Sequence, residues 1–287
     1  MKIAGVTVLY NPGRDVEECI RSYLDGVDTL FVVDNSERPD GALVERLSVH
    51  SNIRYLRNDG NQGLAHALNR GARQAIAIGA TWLLMMDQDS RFAAGAFTAM
   101  VADAAAVGLD QKDWSLFVPR IVHGDDPAPA IVRDRYLPVL TAWTSGSLLS
   151  LRCYEDVGPF LESLFIDSID HEYCLRMRSR GHEIVRLNQI ALHHRLGGLA
   201  THRLLGRSWS TTHHSPVRRY YITRNRLHVA LLYRRNFPDF FRRELKAIAS
   251  ESFKVLLLEK KRWSKLCAMG RGLRDSVRGV LRGQLGG

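Results

Sequence analysis

Two carboxylates spaced two residues apart, in Asp87-Gln88-Asp89, follow the apolar run Trp82-Leu83-Leu84-Met85-Met86. Where a chain turns at the end of a strand, both side chains can reach one ligand. Their hard oxygens suit Mg²⁺ or Mn²⁺. A metal held there bridges diphosphate oxygens and neutralises a leaving group. The competing assignment is a pair of turn-forming or capping aspartates. The apolar strand in front, and two similar polar clusters upstream, favour the metal.

The first such cluster is Asp34-Asn35-Ser36, closing the run Thr29-Leu30-Phe31-Val32-Val33. Asp34 is placed to accept hydrogen bonds from a ribose or a base N–H. An N-cap or Asx-turn competes for it. The second is Asn58-Asp59-Gly60-Asn61-Gln62-Gly63. It offers polar groups at the start of a helix, with Asn61 and Gly63 as candidates for holding donor atoms. It is neither a Walker A loop nor GxGxxG, which counts against kinase-like and NAD-dependent chemistry.

Further along, Asp167, Asp170 and Glu172 put three acids into six positions. Asp170 falls at a helix N-terminus, where the dipole favours an anion. A carboxylate there can deprotonate an acceptor hydroxyl. Glu172 and Arg176 have the i,i+4 spacing of a structural ion pair. In His193-His194, neighbouring side chains point different ways. His194 is the candidate third metal ligand or diphosphate contact, and a purely structural histidine is an equal alternative. Arg219 and Arg224 lie in Arg218-Arg219-Tyr220-Tyr221-Ile222-Thr223-Arg224-Asn225. Guanidinium groups suit phosphates of a donor or a lipid acceptor, and a solvated basic helix face is as good an account.

These residues need elements to carry them. Apolar runs predict strands over 3–9, 29–33, 53–56 and 81–86, with helical spacing over 15–24, 43–47 and 64–79 between them. Asp15 is a candidate N-cap. This βαβαβαβ order implies a mostly parallel sheet covered by helices, with ligands at the carboxyl ends of the strands. The polar clusters fall at three of those ends. Beyond them the pattern predicts a helix over 93–107, a strand within 115–122, a Pro/Asp-rich loop over 123–138, and a strand over 143–151. A helix over 170–181 and a short strand over 183–187 follow. From Pro216 onward the chain reads as helical, with breaks at Pro238 and Gly270.

The chain has 287 residues, 45% of them hydrophobic and 24% charged. That suffices for one large core. No stretch approaches the length of a spanning helix, and the first ten residues read as a strand rather than a signal peptide. A cytoplasmic protein is expected. The four cysteines, Cys19, Cys153, Cys174 and Cys267, are scattered, so a disulfide frame or thiolate zinc site is not expected. The net charge is +10, and residues 240–287 hold 12 Lys and Arg against 4 Asp and Glu. A nucleic-acid footprint would spread over a binding face. A basic, partly apolar terminal block fits peripheral contact with an anionic membrane. An ordinary packed helix with a basic outer face is the alternative.

Taken together, the segments 6–12, 32–36, 61–69, Asp87-Gln88-Asp89-Ser90, Thr144-Ser145-Gly146-Ser147, Phe165-Ile166-Asp167 with Asp170, and Arg219-Tyr220-Tyr221 with Arg224-Asn225 resemble family 2 glycosyltransferases. Within that family the chain resembles bacterial rhamnosyltransferases of cell-surface polysaccharide assembly. The resemblance implies a GT-A Rossmann-like domain over 1–215 and a helical extension over 216–287. The nucleotide-sugar half would cover about 1–110 and the acceptor half 111–215. It also implies donor contacts at Tyr10, Asn11, Asp34 and Asp87, and a divalent ion at Asp89 with Asp87 and His194. Asp170 would be the base. The acid that usually precedes it in the family is Ile169 here, so Asp167 stays open as an alternative. The implied reaction is inverting transfer from dTDP-L-rhamnose to a hydroxyl of a glycan or lipid-linked acceptor, at the inner face of a bacterial plasma membrane. A UDP-hexose donor is the nearest rival. A sugar-phosphate nucleotidyltransferase is another, although residues 10–15 lack its Gly-rich basic loop. A non-catalytic membrane-attached binding protein would leave the acid cluster unexplained.

Overall fold

The computed structural model describes residues 1–108, 114–122, 134–194, 200–204 and 207–282. The chain divides into two compact units. One comprises Met1–Glu162 with Tyr173–Arg195, the other Ser163–Glu172 with Leu196–Gly287. A ten-residue segment from mid-chain thus groups with the C-terminal helices.

The first unit begins with β1 (Ile3–Leu9), α1 (Val16–Leu24), β2 (Thr29–Asp34), α2 (Gly41–Ser48), β3 (Ile53–Arg57), α3 (Leu64–Ala77) and β4 (Trp82–Asp87). All seven stand where hydrophobic spacing predicts them. α1 buries Val16, Cys19, Ile20, Tyr23 and Leu24 on one face. Its Tyr23 hydroxyl meets Thr7 Oγ1 of β1 at 2.7 Å, and burial pushes the phenol pKa up. Asp15 is the N-cap residue of α1 as expected, its carbonyl accepting from the Cys19 amide, although its side chain makes no capping bond. Asp40 does cap α2, accepting from the Ala42 and Leu43 amides. α3 lies so close to β1 that a Cβ on Gly71 would stand 2.4 Å from Val6 Cγ2.

The unit continues with β5 (Ser90–Phe92), α4 (Ala96–Gly108), β6 (Trp114–Val122), β7 (Tyr136–Pro138), β8 (Ser147–Ser150), α5 (Leu151–Val157), α6 (Ile169–Ser179) and β9 (Glu183–His194). The first turn of α6 groups with the second unit. The main sheet runs β3-β2-β1-β4-β8-β6-β9-β5, with β7 alongside β9. The four strands β1 to β4 are mutually parallel. Past β4 the sheet turns mixed, since β8 is antiparallel to both β4 and β6, while β9 runs parallel to β6. The expectation of a mostly parallel sheet thus describes its first half.

Other expectations shift as well. The strand expected over 143–151 is confined to Ser147–Ser150, because Gly146 at φ 78 turns the chain first. Ser150 then caps α5, a helix the apolar pattern hides. Within the loop expected over 123–138, Tyr136–Pro138 is a strand, and 123–133 lie outside the described residues. β9 runs on to His194 rather than stopping at Leu187.

The second unit contains the hairpin β10 (Ala200–Leu204) and β11 (Arg207–Thr211), then α7 (Pro216–Leu232), α8 (Pro238–Leu258) and α9 (Arg262–Arg282). Ser215 caps α7 and Pro216 opens it, the favoured N-terminal pairing. α8 starts at Pro238 as expected. Gly270 breaks nothing, since α9 passes through it. The break comes at 259–261, where Lys261 takes a left-handed φ of 53. Gly272 matters instead, because a Cβ there would stand 2.7 Å from the Tyr220 carbonyl of α7. Among the described residues, no helix is long and apolar enough to cross a membrane.

Candidate active site

The parallel register brings three strand ends together. Leu9 of β1 pairs with Asp34 of β2, and Val8 pairs with Asp87 of β4. Asp34 and Asp87 therefore flank the end of β1, two strand spacings or roughly 10 Å apart.

Asp87, Asp89 and His194 each place a ligand atom within 4.8 Å of the others, all three half-buried. β5 makes this possible. Its antiparallel pairing sets Ser90 against His194 and Arg91 against His193. His194 thereby joins the aspartates while His193 lines a separate cleft with Glu18 and Arg21. His194 Nδ1 lies 2.7 Å from Ser90 Oγ and 3.6 Å from Asp89 Oδ1. The Trp143 ring stands edge-on, 5.5 Å away. Two carboxylates and an imidazole at this separation fit a divalent cation such as Mg²⁺ or Mn²⁺.

The residue between the aspartates does separate work. Gln88 accepts from the Tyr10 amide at 2.8 Å and donates to the Tyr10 carbonyl at 3.2 Å. This ties β4's end to β1's end. Ser145, in the Thr-Ser-Gly-Ser turn, accepts from the Asp87 amide at 3.1 Å. Gly146 is required there, because a Cβ would stand 2.7 Å from Pro119.

Asp34 is buried, at 2% exposure. Its Oδ1 accepts from the Ser36 amide and its Oδ2 from the Tyr55 hydroxyl, both at 2.8 Å. The Asx-turn alternative is thus realised. Each carboxylate oxygen keeps a second acceptor site, so the turn does not prevent ligand contact. Burial, followed by this bond, raises the Tyr55 pKa, which keeps the phenol a donor. Asn11, at φ 44, donates its amide to Ser36 Oγ at 2.8 Å. Asn35 donates to the Gly63 carbonyl at 3.1 Å and accepts from Asn58 at 2.6 Å. Asn61 accepts from the Gly63 amide at 3.0 Å. The first unit thus gathers Tyr10, Asn11, Asp34, Asn61, Gly63, Asp87, Asp89 and His194 at one edge of the sheet. Tyr55, Asn58, Gln88 and Ser145 support them. Sequence reasoning singles out none of these four as site residues, although Asn58, Gln88 and Ser145 sit inside quoted motifs.

The second unit holds the other candidates. Asp170 stands in the first turn of α6. The chain leading to it is unusual, with left-handed backbone at Phe165, Asp167 and Ser168 (φ 63, 63 and 64). Such conformations cost about 1 kcal/mol or more each outside glycine. Asn225 of α7, fully buried, offsets that cost. Its amide donates to the carbonyls of Leu164 and Ile166 at 2.7 Å and of Asp167 at 3.0 Å. Arg224 adds a bond to the Ser163 carbonyl at 2.7 Å and covers the Tyr221 ring at 5.0 Å. Burial raises the Asp167 pKa against the opposing pull of Arg218. Glu172 accepts from the Tyr233 hydroxyl at 2.9 Å.

Arg219 and Arg224, candidates for phosphate contact, both make internal contacts. Arg219 is 4% exposed. It pairs with Glu251 at 3.0 Å and with Glu259, whose other oxygen holds Lys265 at 2.6 Å. Its guanidinium ties α7 to α8 and the turn that follows.

Residues 6–111 match the family described as Glycosyl transferase family 2. The dTDP-rhamnosyl transferase RfbF of Shigella flexneri is 29% identical over 246 residues, 82% of this chain and 80% of that one. Both findings support a family 2 glycosyltransferase. Solved structures agree on a GT-A fold. S. aureus TarS 1-349 in complex with UDP-GlcNAc superposes with a TM-score of 0.63 at 14% identity, covering 95% of this transferase and 80% of that chain. GalNAc-T7 with UDP, GalNAc and Mn²⁺ gives 0.62 at 14% identity, covering 84% of this transferase. The transferase spans about half of the GalNAc-T7 chain, 49%.

Proposed function

We propose that this transferase moves L-rhamnose from dTDP-L-rhamnose, with inversion, onto a hydroxyl of a cell-surface glycan or lipid-linked acceptor. The observation that carries the reading is the Asp87–Asp89–His194 group at the strand ends, beside the buried Asp34. The similarity to the Shigella enzyme supports the choice of donor. Asp89, Asp87 and His194 would hold Mg²⁺ or Mn²⁺, which when bound supplies positive charge for the departing diphosphate. Asp34 receives the nucleoside through its remaining acceptor sites, with Tyr10, Asn11 and the Asn61–Gly63 turn forming the adjoining wall.

Asp170 takes the proton from the acceptor hydroxyl. That oxygen attacks the anomeric carbon, and the bond to dTDP breaks with its electron pair leaving on the diphosphate. The protein contributes position and fixed charge. The enzyme works in the cytoplasm, peripherally at the inner face of the bacterial plasma membrane, with residues 240–287 as its contact.

The test is calorimetry with dTDP-L-rhamnose, UDP-glucose and UDP-galactose, each with and without Mn²⁺. Metal-dependent binding of dTDP-L-rhamnose above the others is expected. Preference for a UDP-hexose would overturn the donor, and binding indifferent to the metal would overturn the metal's role.

A further inference from the structure

Past its first turn, where Asp239 is exposed, the charges of α8 are sorted by side. Glu244 and Glu259 are buried at 5% and 6% exposure. Glu244 binds Arg226 at 3.0 Å, and Glu251 binds Arg219 and Arg226 at 3.0 and 2.8 Å. With the acids consumed internally, every exposed position from 240 to 264 is basic, apolar or small and neutral. A merely solvated helix face would mix both signs.

Apolar side chains crown this surface. Phe253, Leu256 and Leu257 are 51%, 37% and 48% exposed, and their i, i+3, i+4 spacing sets them on one helical face. Trp263, just past the α8–α9 turn, is 68% exposed. Lys260, Lys261 and Arg262, all exposed, fill the turn between them. The same turn walls a cleft of about 510 Å³ lined by His213, His214, Ser215, Pro216, Lys260, Lys261 and Lys265. Among the described residues, no carboxylate lines it. Lys265 is committed to Glu259 at 2.6 Å, which leaves Lys260 and Lys261 as the cleft's exposed cations. The positive end of α7 opens beside them at Ser215.

We infer that the α8–α9 turn is a membrane-docking head: Leu256, Leu257 and Trp263, with Phe253, enter the acyl boundary of an anionic bilayer, while Lys260 and Lys261 seat a phospholipid phosphate in the cleft. Exposed leucine and tryptophan beside lysines are what an interfacial helix presents, and each cation near an anionic surface adds attraction. The inference deepens the peripheral membrane contact proposed above and is independent of the donor sugar.

Co-sedimentation of the full chain with vesicles tests it. Vesicles of phosphatidylglycerol in phosphatidylcholine should pellet the protein, and pure phosphatidylcholine should not. Added salt should weaken the binding. Lys260→Glu with Lys261→Glu should raise the lipid needed for half-binding about tenfold or more. Leu257→Ser with Trp263→Ser should weaken it comparably and abolish the vesicle-induced change in tryptophan emission. Calorimetric donor binding should stay unchanged in both variants, so a failed donor assignment and a failed docking head read out separately. The inference fails if the wild type stays in the supernatant with anionic vesicles, or if both variants bind as it does. It fails also if Leu257→Ser with Trp263→Ser converts a dimer to monomer in sedimentation velocity, because the surface then belongs to a second copy of the chain.

Discussion

Asp170 and Asp167 sit three positions apart and carry different expectations. Asp170→Asn should lower turnover by about 10²–10⁴-fold, with donor affinity by calorimetry unchanged; equal loss of both would remove it from the base role. Asp167 has its pKa raised chiefly by burial. A raised folded-state value means the fold favours the protonated form, and that stability is lost as pH rises through it. Asp167→Asn should therefore raise the thermal midpoint at neutral pH, with the gain shrinking toward acid pH. If Asp167 were the base, the same change would also stop turnover. Asp89→Ala should abolish the Mn²⁺-dependent part of donor binding, and a retained metal response would exclude Asp89 as a ligand. These residues were legible because short-range spacing marks them, as with two acids two apart or an acid closing an apolar run. Tyr55 was not legible. It lies inside β3 and meets Asp34 only through the register that sets it opposite Val32, and single-chain spacing carries no register.

Among the elements, the segment Ser163–Glu172 shows most plainly what local pattern omits. Three left-handed non-glycine residues occur within four positions, and of their side chains only that of Asp167 favours the conformation. Its cause lies about sixty residues later, in the amide of Asn225. Asn225→Ala would leave those buried carbonyls without their donor, at about 1–3 kcal/mol. Turnover should fall by at least about tenfold, the equivalent of 1.4 kcal/mol, with the donor KM nearly unchanged. A fall in thermal midpoint with kinetics intact would make Asn225 purely structural. Up to β4, strands β1, β2 and β4 were readable as apolar runs buried on both faces, and helices such as α1 and α3 because each buries one periodic face. The short β5, β7 and α5 were not, since three to seven residues hold too few periods. Gly270 misled because a helix exposed on that side tolerates glycine at about 1 kcal/mol.

At the scale of the whole molecule, the helical unit is held by an ion-pair cluster as well as by apolar packing. Burial would raise the Glu259 carboxyl, but Lys265 and Arg219 outweigh it and hold its pKa below the usual value. A depressed value contributes stability above the unfolded pKa, lost as pH falls through the folded one. Glu259→Gln should cost about 3–5 kcal/mol at neutral pH, because it strands the buried Lys265 and leaves Arg219 with Glu251 alone. It should also flatten the loss of stability of the wild type below roughly pH 4, measured by denaturant melts across pH; an unchanged pH profile would count against the cluster. The excursion of Ser163–Glu172 into the helical unit also bears on how such enzymes recombine. A single crossover at residue 195 would graft foreign helices onto a native segment whose conformation they did not evolve to hold. Productive chimeras must exchange 163–172 together with 196–287, so genetic exchange between relatives should preserve these two stretches as one inherited block.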